Sequence, residues 1–353
     1  MYKEYIRPIL FKGNPEKVHN LTILLGRFLA FSRLSRILRS NFVVKNKMLK
    51  NKVMGIELDN PVGLAAGFDK NAYLVDFIPD LGFGFIEVGS VTARACEGNP
   101  KPRLHRLVKD EGIIVNYGLA NEGADRIYER LKGRKFRIPL GVSIAKTNDS
   151  DIKGEGSVND YLEGFKKMQN IGDYTTINIS CPNVGDGRSF EDPYLLESLL
   201  KKINNIRKKR RILLKISPDI DKANLDKIIK LATKFKINGF IVSNLTKKRE
   251  GLSNDANLKH NGGISGRHVR NKSNELIKYI YNKTKGKFVI VGCGGVFNGQ
   301  DAYEKIKNGA SLIQMITGMI FEGPAVVGRI NKELIELIKK DGYKNIREAI
   351  GNG

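Results

Sequence analysis

From about residue 50 to residue 340 this chain repeats one unit: a short apolar, β-branched run, then a longer segment with helical spacing. The runs lie at 62–66, 85–89, 139–145, 175–179, 212–216, 239–242, 288–291 and 311–316. Helical periodicity recurs at 161–171, 195–206, 225–235, 275–281, 302–307 and 325–340. Strands buried on both faces read as continuous apolar runs, and parallel neighbours need a crossover, usually a helix. Eight such runs alternating with helical segments, with no break in composition, predict an α/β fold, a (β/α)8 TIM barrel. A doubly wound open sheet is the alternative, and eight repeats suit a barrel better.

In such a barrel the chemistry gathers where the strands end. The first run is followed by Ala66, Gly67 and Lys70, the second by Ser90, and the third passes through Ser143. The fifth ends at Lys215, the sixth at Ser243 and Asn244, the seventh at Gly292 to Gly295 and the eighth at Thr317. The fourth is the richest. Asn178, Cys181 and Asn183 put two amides and a thiol around one strand end, and Pro182 pushes Cys181 out of helical geometry. A lone cysteine is most often a small buried hydrophobe. Here the other strand ends favour chemistry: a thiol titrates near ~8.5 and lower beside a lysine, and amides can hold a polar heterocycle. A base facing a hydride acceptor across a substrate would make a dehydrogenase.

Glycine stretches at 262–266, 292–295 and 316–324 converge on the same rim and predict a cofactor that carries phosphate. Lys70 and Lys215 could neutralise a flavin that gains charge on reduction, or hold an acidic substrate. The blander possibility is a structural ion pair with Asp69 or Asp219.

Composition narrows the setting. Three cysteines with no paired spacing argue for a reducing compartment, and no His/Cys cluster has metal-ligand spacing, so no metal is expected. No apolar run is long enough to span a bilayer, and the first residues do not read as a signal peptide. The net charge of +24 invites polyanions, but its lysines are scattered in pairs that read as solvated surface, and no nucleic-acid partner is expected. Residues 1–45 stand apart: Val18, Leu21, Leu24, Leu25, Phe28 and Leu29 form a helical stripe, no acidic residue occurs from Lys17 to Asn41, and Arg27, Arg33, Arg36 and Arg39 lie among the apolar positions. A basic amphipathic helical pair of this kind reads as a membrane-surface element or as a lid packed on the main domain. The expected division is therefore 1–45, an N-terminal amphipathic helical extension, and 46–353, the catalytic barrel.

Several motifs carry a resemblance. Residues 60–70 (Asn-Pro-Val-Gly-Leu-Ala-Ala-Gly-Phe-Asp-Lys), 98–106 (Gly-Asn-Pro-Lys-Pro-Arg-Leu-His-Arg), 178–183 (Asn-Ile-Ser-Cys-Pro-Asn) and 262–267 (Gly-Gly-Ile-Ser-Gly-Arg) resemble the dihydroorotate dehydrogenase family over nearly the whole chain. The N-terminal extension resembles its membrane-associated, quinone-using class 2. The resemblance implies oxidation of dihydroorotate to orotate in pyrimidine (UMP) synthesis, with FMN as cofactor and electrons passed to a membrane quinone. It implies a peripheral membrane protein on the cytoplasmic face of the cell membrane or on an organelle's inner membrane. Position by position, it implies that Ala66, Gly67, Lys70, Ser90, Ser143, Asn178, Lys215, Ser243, Gly266, Gly295 and Thr317 hold FMN. Lys70, Asn116, Tyr117, Gly118, Leu119, Asn178, Asn183 and Asn244 would hold orotate, Cys181 would take the C5 proton, and His19 and Arg106 would line the quinone tunnel.

Four positions depart from the pattern. Cys181 is the class 1 base where class 2 carries serine; Val115 stands where the family has asparagine, with Asn116 one place later; Ser143 replaces an asparagine, and Ile316 a tyrosine by the quinone. The alternatives are the same oxidation with a soluble acceptor, fumarate or NAD, and an RNA-modifying flavin barrel of the dihydrouridine synthase type. Too little chain follows the eighth run for that enzyme's RNA-binding domain.

Overall fold

The computed structural model describes residues 1–180 and 190–353. Eight parallel strands close into a barrel in chain order: Val62–Leu64, Phe85–Val91, Leu140–Ile144, Tyr174–Asn178, Arg211–Ile216, Gly239–Val242, Val289–Cys293 and Leu312–Met315. The eighth pairs with the first through Ile313 beside Val62, which leaves no open edge. Helices such as Glu155–Met168, Pro193–Ile206, Lys222–Lys234 and Val326–Lys340 cover the outside. Each turns an apolar face inward, as Leu196, Leu199, Leu200 and Ile203 show.

Two elements close the lower end. The antiparallel hairpin Asn51–Val53 and Ile56–Leu58 was not foreseen; its Val53, Ile56 and Leu58 pack against Phe85, Tyr174, Leu213, Ile241, Val291 and Leu312. The lower layer is filled by size matching between register partners. A Cβ on Gly63 would lie 2.4 Å from the Phe85 ring, and one on Gly141 would lie 2.1 Å from the Tyr174 ring. Each glycine is the notch that lets its neighbour's ring fill the barrel.

At the upper end a three-stranded antiparallel sheet, Leu104–Leu107, Gly112–Val115 and Gly263–Gly266, also escaped the sequence reading. The N-terminal extension lies beside it as Arg7–Lys12, Pro15–Leu29 and Arg33–Phe42. Asn14 caps the second of these by accepting from Glu16 and Lys17 N–H groups, with Pro15 in the first turn. Gly26 permits close packing, since a Cβ there would meet Leu74 at 2.7 Å. The Glu16 carboxylate receives the buried Arg103 guanidinium at 2.9 Å, and Ser35 donates to the buried Asp80, which pairs with Arg137. The opposite face is bare. Leu21, Leu24, Leu25, Phe28, Phe31, Leu34 and Ile37 are exposed, Phe31 by 83 %. Among the described residues no helix is long and apolar enough to cross a membrane.

Candidate active site

One cavity opens at the carboxyl ends of the strands, between the barrel, the three-stranded sheet and the helix Pro15–Leu29. Its polar wall is a network that joins five strands. The Asn178 amide donates to Ser90 Oγ at 3.0 Å, and Ser90 Oγ is 2.9 Å from Ser143 Oγ. From the sixth strand's end, Asn244 Nδ2 donates to the Ser180 carbonyl and hydroxyl, both at 3.1 Å; that hydroxyl donates to the Lys215 carbonyl at 2.8 Å. These side chains hold one another, so the two amides are oriented before any ligand arrives.

Both lysines line the cavity, and the carboxylates that could have paired with them serve elsewhere. Asp69 accepts the N–H groups of Tyr73 and Leu74 at 2.8 and 2.7 Å. Asp219 accepts from Thr246 Oγ1 and the Lys247 N–H at 2.5 and 2.7 Å. Lys70 instead lies 3.7 Å from the centroid of the Tyr117 ring. Burial first, then the Arg103 charge, bring its pKa down from 10.5 to about 8. Lys70 is therefore a cation at neutral pH that gives up its proton in mildly alkaline solution.

The far rim is backbone. Gly295 has φ +71° and a Cβ there would sit 2.4 Å from that of Arg270; Gly266 has φ +111° and a Cβ there would meet the Glu111 carbonyl at 2.3 Å. Only glycine fits either place, and both line the cavity, where glycine-rich backbone can approach a phosphate closely. Ser265 Oγ and Thr317 Oγ1, 2.6 Å apart, stand at the same rim. Two cations, converging amides and a glycine-rich rim fit a phosphate-bearing flavin beside a small anionic heterocycle.

The extension supplies the last wall. His19 reaches the cavity and sets its ring edge-on to Phe68 at 5.0 Å. Burial, with Lys70 nearby, lowers its pKa to about 3, so it is neutral at physiological pH.

Of the residues implied by resemblance, Ala66, Gly67, Lys70, Ser90, Tyr117, Gly118, Leu119, Asn178, Lys215, Ser243, Asn244, Gly266, Gly295, Thr317 and His19 line this cavity. Three do not. Ser143 is wholly buried behind Ser90. Asn116 accepts from the Asn99 side chain at 2.9 Å outside the cavity. Arg106 donates to the Gly13, Phe11 and Leu10 carbonyls at 2.8, 3.2 and 3.3 Å, closing the end of the helix Arg7–Lys12. These bonds anchor the extension to the strand Leu104–Leu107. Cys181 and Asn183 lie outside the described residues. Sequence reasoning did not single out Ser265, although it sits inside the glycine motif 262–266, and passed over Val269 and Val296, which also line the cavity.

The family model described as Dihydroorotate dehydrogenase matches residues 48–338. Dihydroorotate dehydrogenase (quinone) of Gloeobacter violaceus is 39 % identical over 346 residues, spanning 98 % of this chain and 97 % of that protein. The mitochondrial dihydroorotate dehydrogenase (quinone) of Mus musculus is 37 % identical over 365 residues, with 99 % and 90 % covered. The crystal structure of DHODH from Eimeria tenella in complex with ferulenol superposes with a TM-score of 0.86 at 31 % identity, covering 96 % of this chain and 95 % of that one. With family motif, barrel, extension and cavity in agreement, the chain belongs to the dihydroorotate dehydrogenase family, in its quinone-dependent class 2.

Proposed function

We propose that this chain oxidises dihydroorotate to orotate for pyrimidine (UMP) synthesis, with FMN as the bound flavin and a membrane quinone as the electron acceptor. The observation that carries this reading is a single cavity whose wall runs from Asn178 and Lys215 at the strand ends to His19 on the N-terminal extension. A site meant for soluble acceptors would have no need of that helix.

FMN, when bound, supplies the two-electron acceptor. Ala66, Gly67, Ser90, Ser243 and Thr317 would hold it together with Gly266 and Gly295, and Lys215 would face the charge that reduction adds. Ser143 would act through Ser90, which it hydrogen-bonds. Lys70 would bind the carboxylate of orotate, while Asn178 and Asn244, already oriented by the Ser180 network, would fix its ring. Cys181 follows Ser180 directly, and by the resemblance it is the base that removes the C5 proton. A thiol ionises far nearer neutrality than the serine usual in class 2, so the pH dependence should differ from that of serine-bearing members.

Residues 1–45 are read as the access segment and 46–353 as the catalytic barrel. The bare apolar face, flanked by Arg33, Arg36 and Arg39, suits a peripheral membrane position with acidic headgroups beneath it. The decisive experiment mixes purified, flavin-loaded protein with dihydroorotate in the absence of oxygen. The flavin should bleach within the mixing experiment, and a soluble quinone should restore its colour faster than fumarate or NAD. Restoration by fumarate or NAD at the quinone's rate would remove the acceptor assignment, and no bleaching would remove the reaction.

A further inference from the structure

Beneath the cavity floor, inside the barrel, lies an acid that the proposed chemistry leaves unused. Glu87, on the strand Phe85–Val91, is 0 % exposed. Thr176 Oγ1 donates to its Oε2 at 2.8 Å and Gln314 Nε2 donates to the same oxygen at 3.2 Å. Its other oxygen, Oε1, has no hydrogen-bond partner among the described residues, and the same holds for Gln314 Oε1 and the Tyr174 hydroxyl. The charged and titratable groups that face Glu87 are Lys215 on the fifth strand, Tyr174 on the fourth and Cys293 on the seventh.

This arrangement pulls the acid in two directions, and burial, the stronger influence, holds its pKa above the usual carboxylate range. Burial favours the neutral carboxyl, while Lys215 and then the Thr176, Gln314 and Tyr174 side chains favour the carboxylate. Lys215 also lines the cavity above, so its charge is felt both by Glu87 and by any anion that enters the cavity. Charge that develops in the cavity would compete with Glu87 for that ammonium. A carboxylate deprived of its counter-charge in such a place is costly. Protonation relieves the cost and adds a hydroxyl that can donate to Gln314 Oε1, which has no hydrogen-bond partner among the described residues.

We propose that Glu87 takes up one proton when the flavin of this site is reduced and releases it on reoxidation. The inference rests on the flavin reading above. Its balance closes. Dihydroorotate loses a proton from C5 and a hydride from C6; the hydride brings two electrons and one proton to the flavin and leaves it with one added negative charge. One proton from solvent converts the Glu87 carboxylate to the acid. A quinone leaves as quinol by taking two electrons and two protons, one proton from the reduced flavin and a second equal to the one Glu87 then returns.

The test is a spectroscopic redox titration of the bound flavin, run from mildly acid to mildly alkaline pH, with wild type and Glu87→Gln compared. One extra proton per two-electron reduction changes the equilibrium constant about tenfold per pH unit, or ~30 mV per unit. The wild-type potential should fall with rising pH more steeply than that of Glu87→Gln by this amount, over the interval in which Glu87 titrates. Thr176→Val keeps every charge but removes a hydrogen bond to the carboxylate, so it should move the steep interval to higher pH. It carries the test alone if Glu87→Gln does not fold. Equal slopes in wild type and Glu87→Gln, or a steep interval that stays in place in Thr176→Val, would overturn the assignment to Glu87 while leaving the flavin site standing. A purified protein that takes up no flavin would overturn the flavin reading itself.

Discussion

The two ends of the barrel are built from the same eight strands and do opposite work. At the lower end Phe85, Tyr174, Leu213, Ile241, Val291 and Leu312 meet the hairpin and exclude solvent. At the upper end the same strands present Ser90, Asn178, Lys215 and Ser243 to an open cavity. Tyr174 and Asn178 stand at opposite ends of one strand of five residues. Apolar contact gains free energy wherever it is buried, so the lower end holds the barrel together. Polar groups at the upper end gain little until a ligand replaces their water, and their value lies in being held in place. Stability and chemistry are thus separated along the strand axis, and substitutions can break either without the other.

The largest effect should come from the upper end. Cys181→Ala should slow anaerobic flavin bleaching by dihydroorotate about 10²–10⁴-fold, the usual contribution of a general base, with an unchanged melting temperature. Full-rate bleaching in that variant would falsify the base assignment. The counterpart at the lower end is Gly141→Ala, whose new methyl would collide with the Tyr174 ring. It should cost about 1–3 kcal/mol of stability, seen as a lower denaturation midpoint, and the flavin chemistry of the folded fraction should persist. If bleaching fell more than the midpoint explains, the two ends would be coupled after all.

A third prediction sharpens the picture of the mouth itself. Lys70 is the cation beside Tyr117, and its pKa is depressed to about 8. Its charge is present below that pH and lost above it, so orotate affinity should weaken as pH rises past about 8, approaching tenfold per unit where the ammonium dominates binding. Titrating orotate binding by flavin absorbance checks this, and Lys70→Arg should carry tight binding to higher pH. The smallest effect concerns His19. With its pKa near 3 it stays neutral across the physiological range, so His19→Phe should alter the KM for quinone and leave the pH profile of quinone reduction unmoved. A profile that changes shape would show His19 titrating during turnover.

The sequence made the barrel legible because its evidence is local. A run of β-branched residues such as 212–216, buried on every side, and an amphipathic repeat such as 195–206 each state their structure within a few residues. The glycine motifs and the strand-end lysines were visible for the same reason: a strand that ends at Lys215 must present it at one end of a parallel barrel. The role of Cys181 is owed to resemblance, and its surroundings lie outside the described residues.

What escaped the sequence depended on distant partners. The sheet formed by 104–107, 112–115 and 263–266 joins segments about 150 residues apart, and residues 263–266 read only as a glycine-rich loop. Arg106 also donates to the carbonyls of Leu10, Phe11 and Gly13, an anchoring of the extension that its place in the sequence did not show. Glu87 drew no notice inside an apolar run, because an acid in a strand shows neither its burial nor its neighbours. Periodicity and residue type, which act through near neighbours, determined the eightfold fold and which strand end carries which group. Only the tertiary structure decided which charges share a counter-ion, which donors are already taken, and how closely the helix of His19 approaches the barrel. Those are matters of ångström distances between residues far apart in the chain, and no local pattern encodes them.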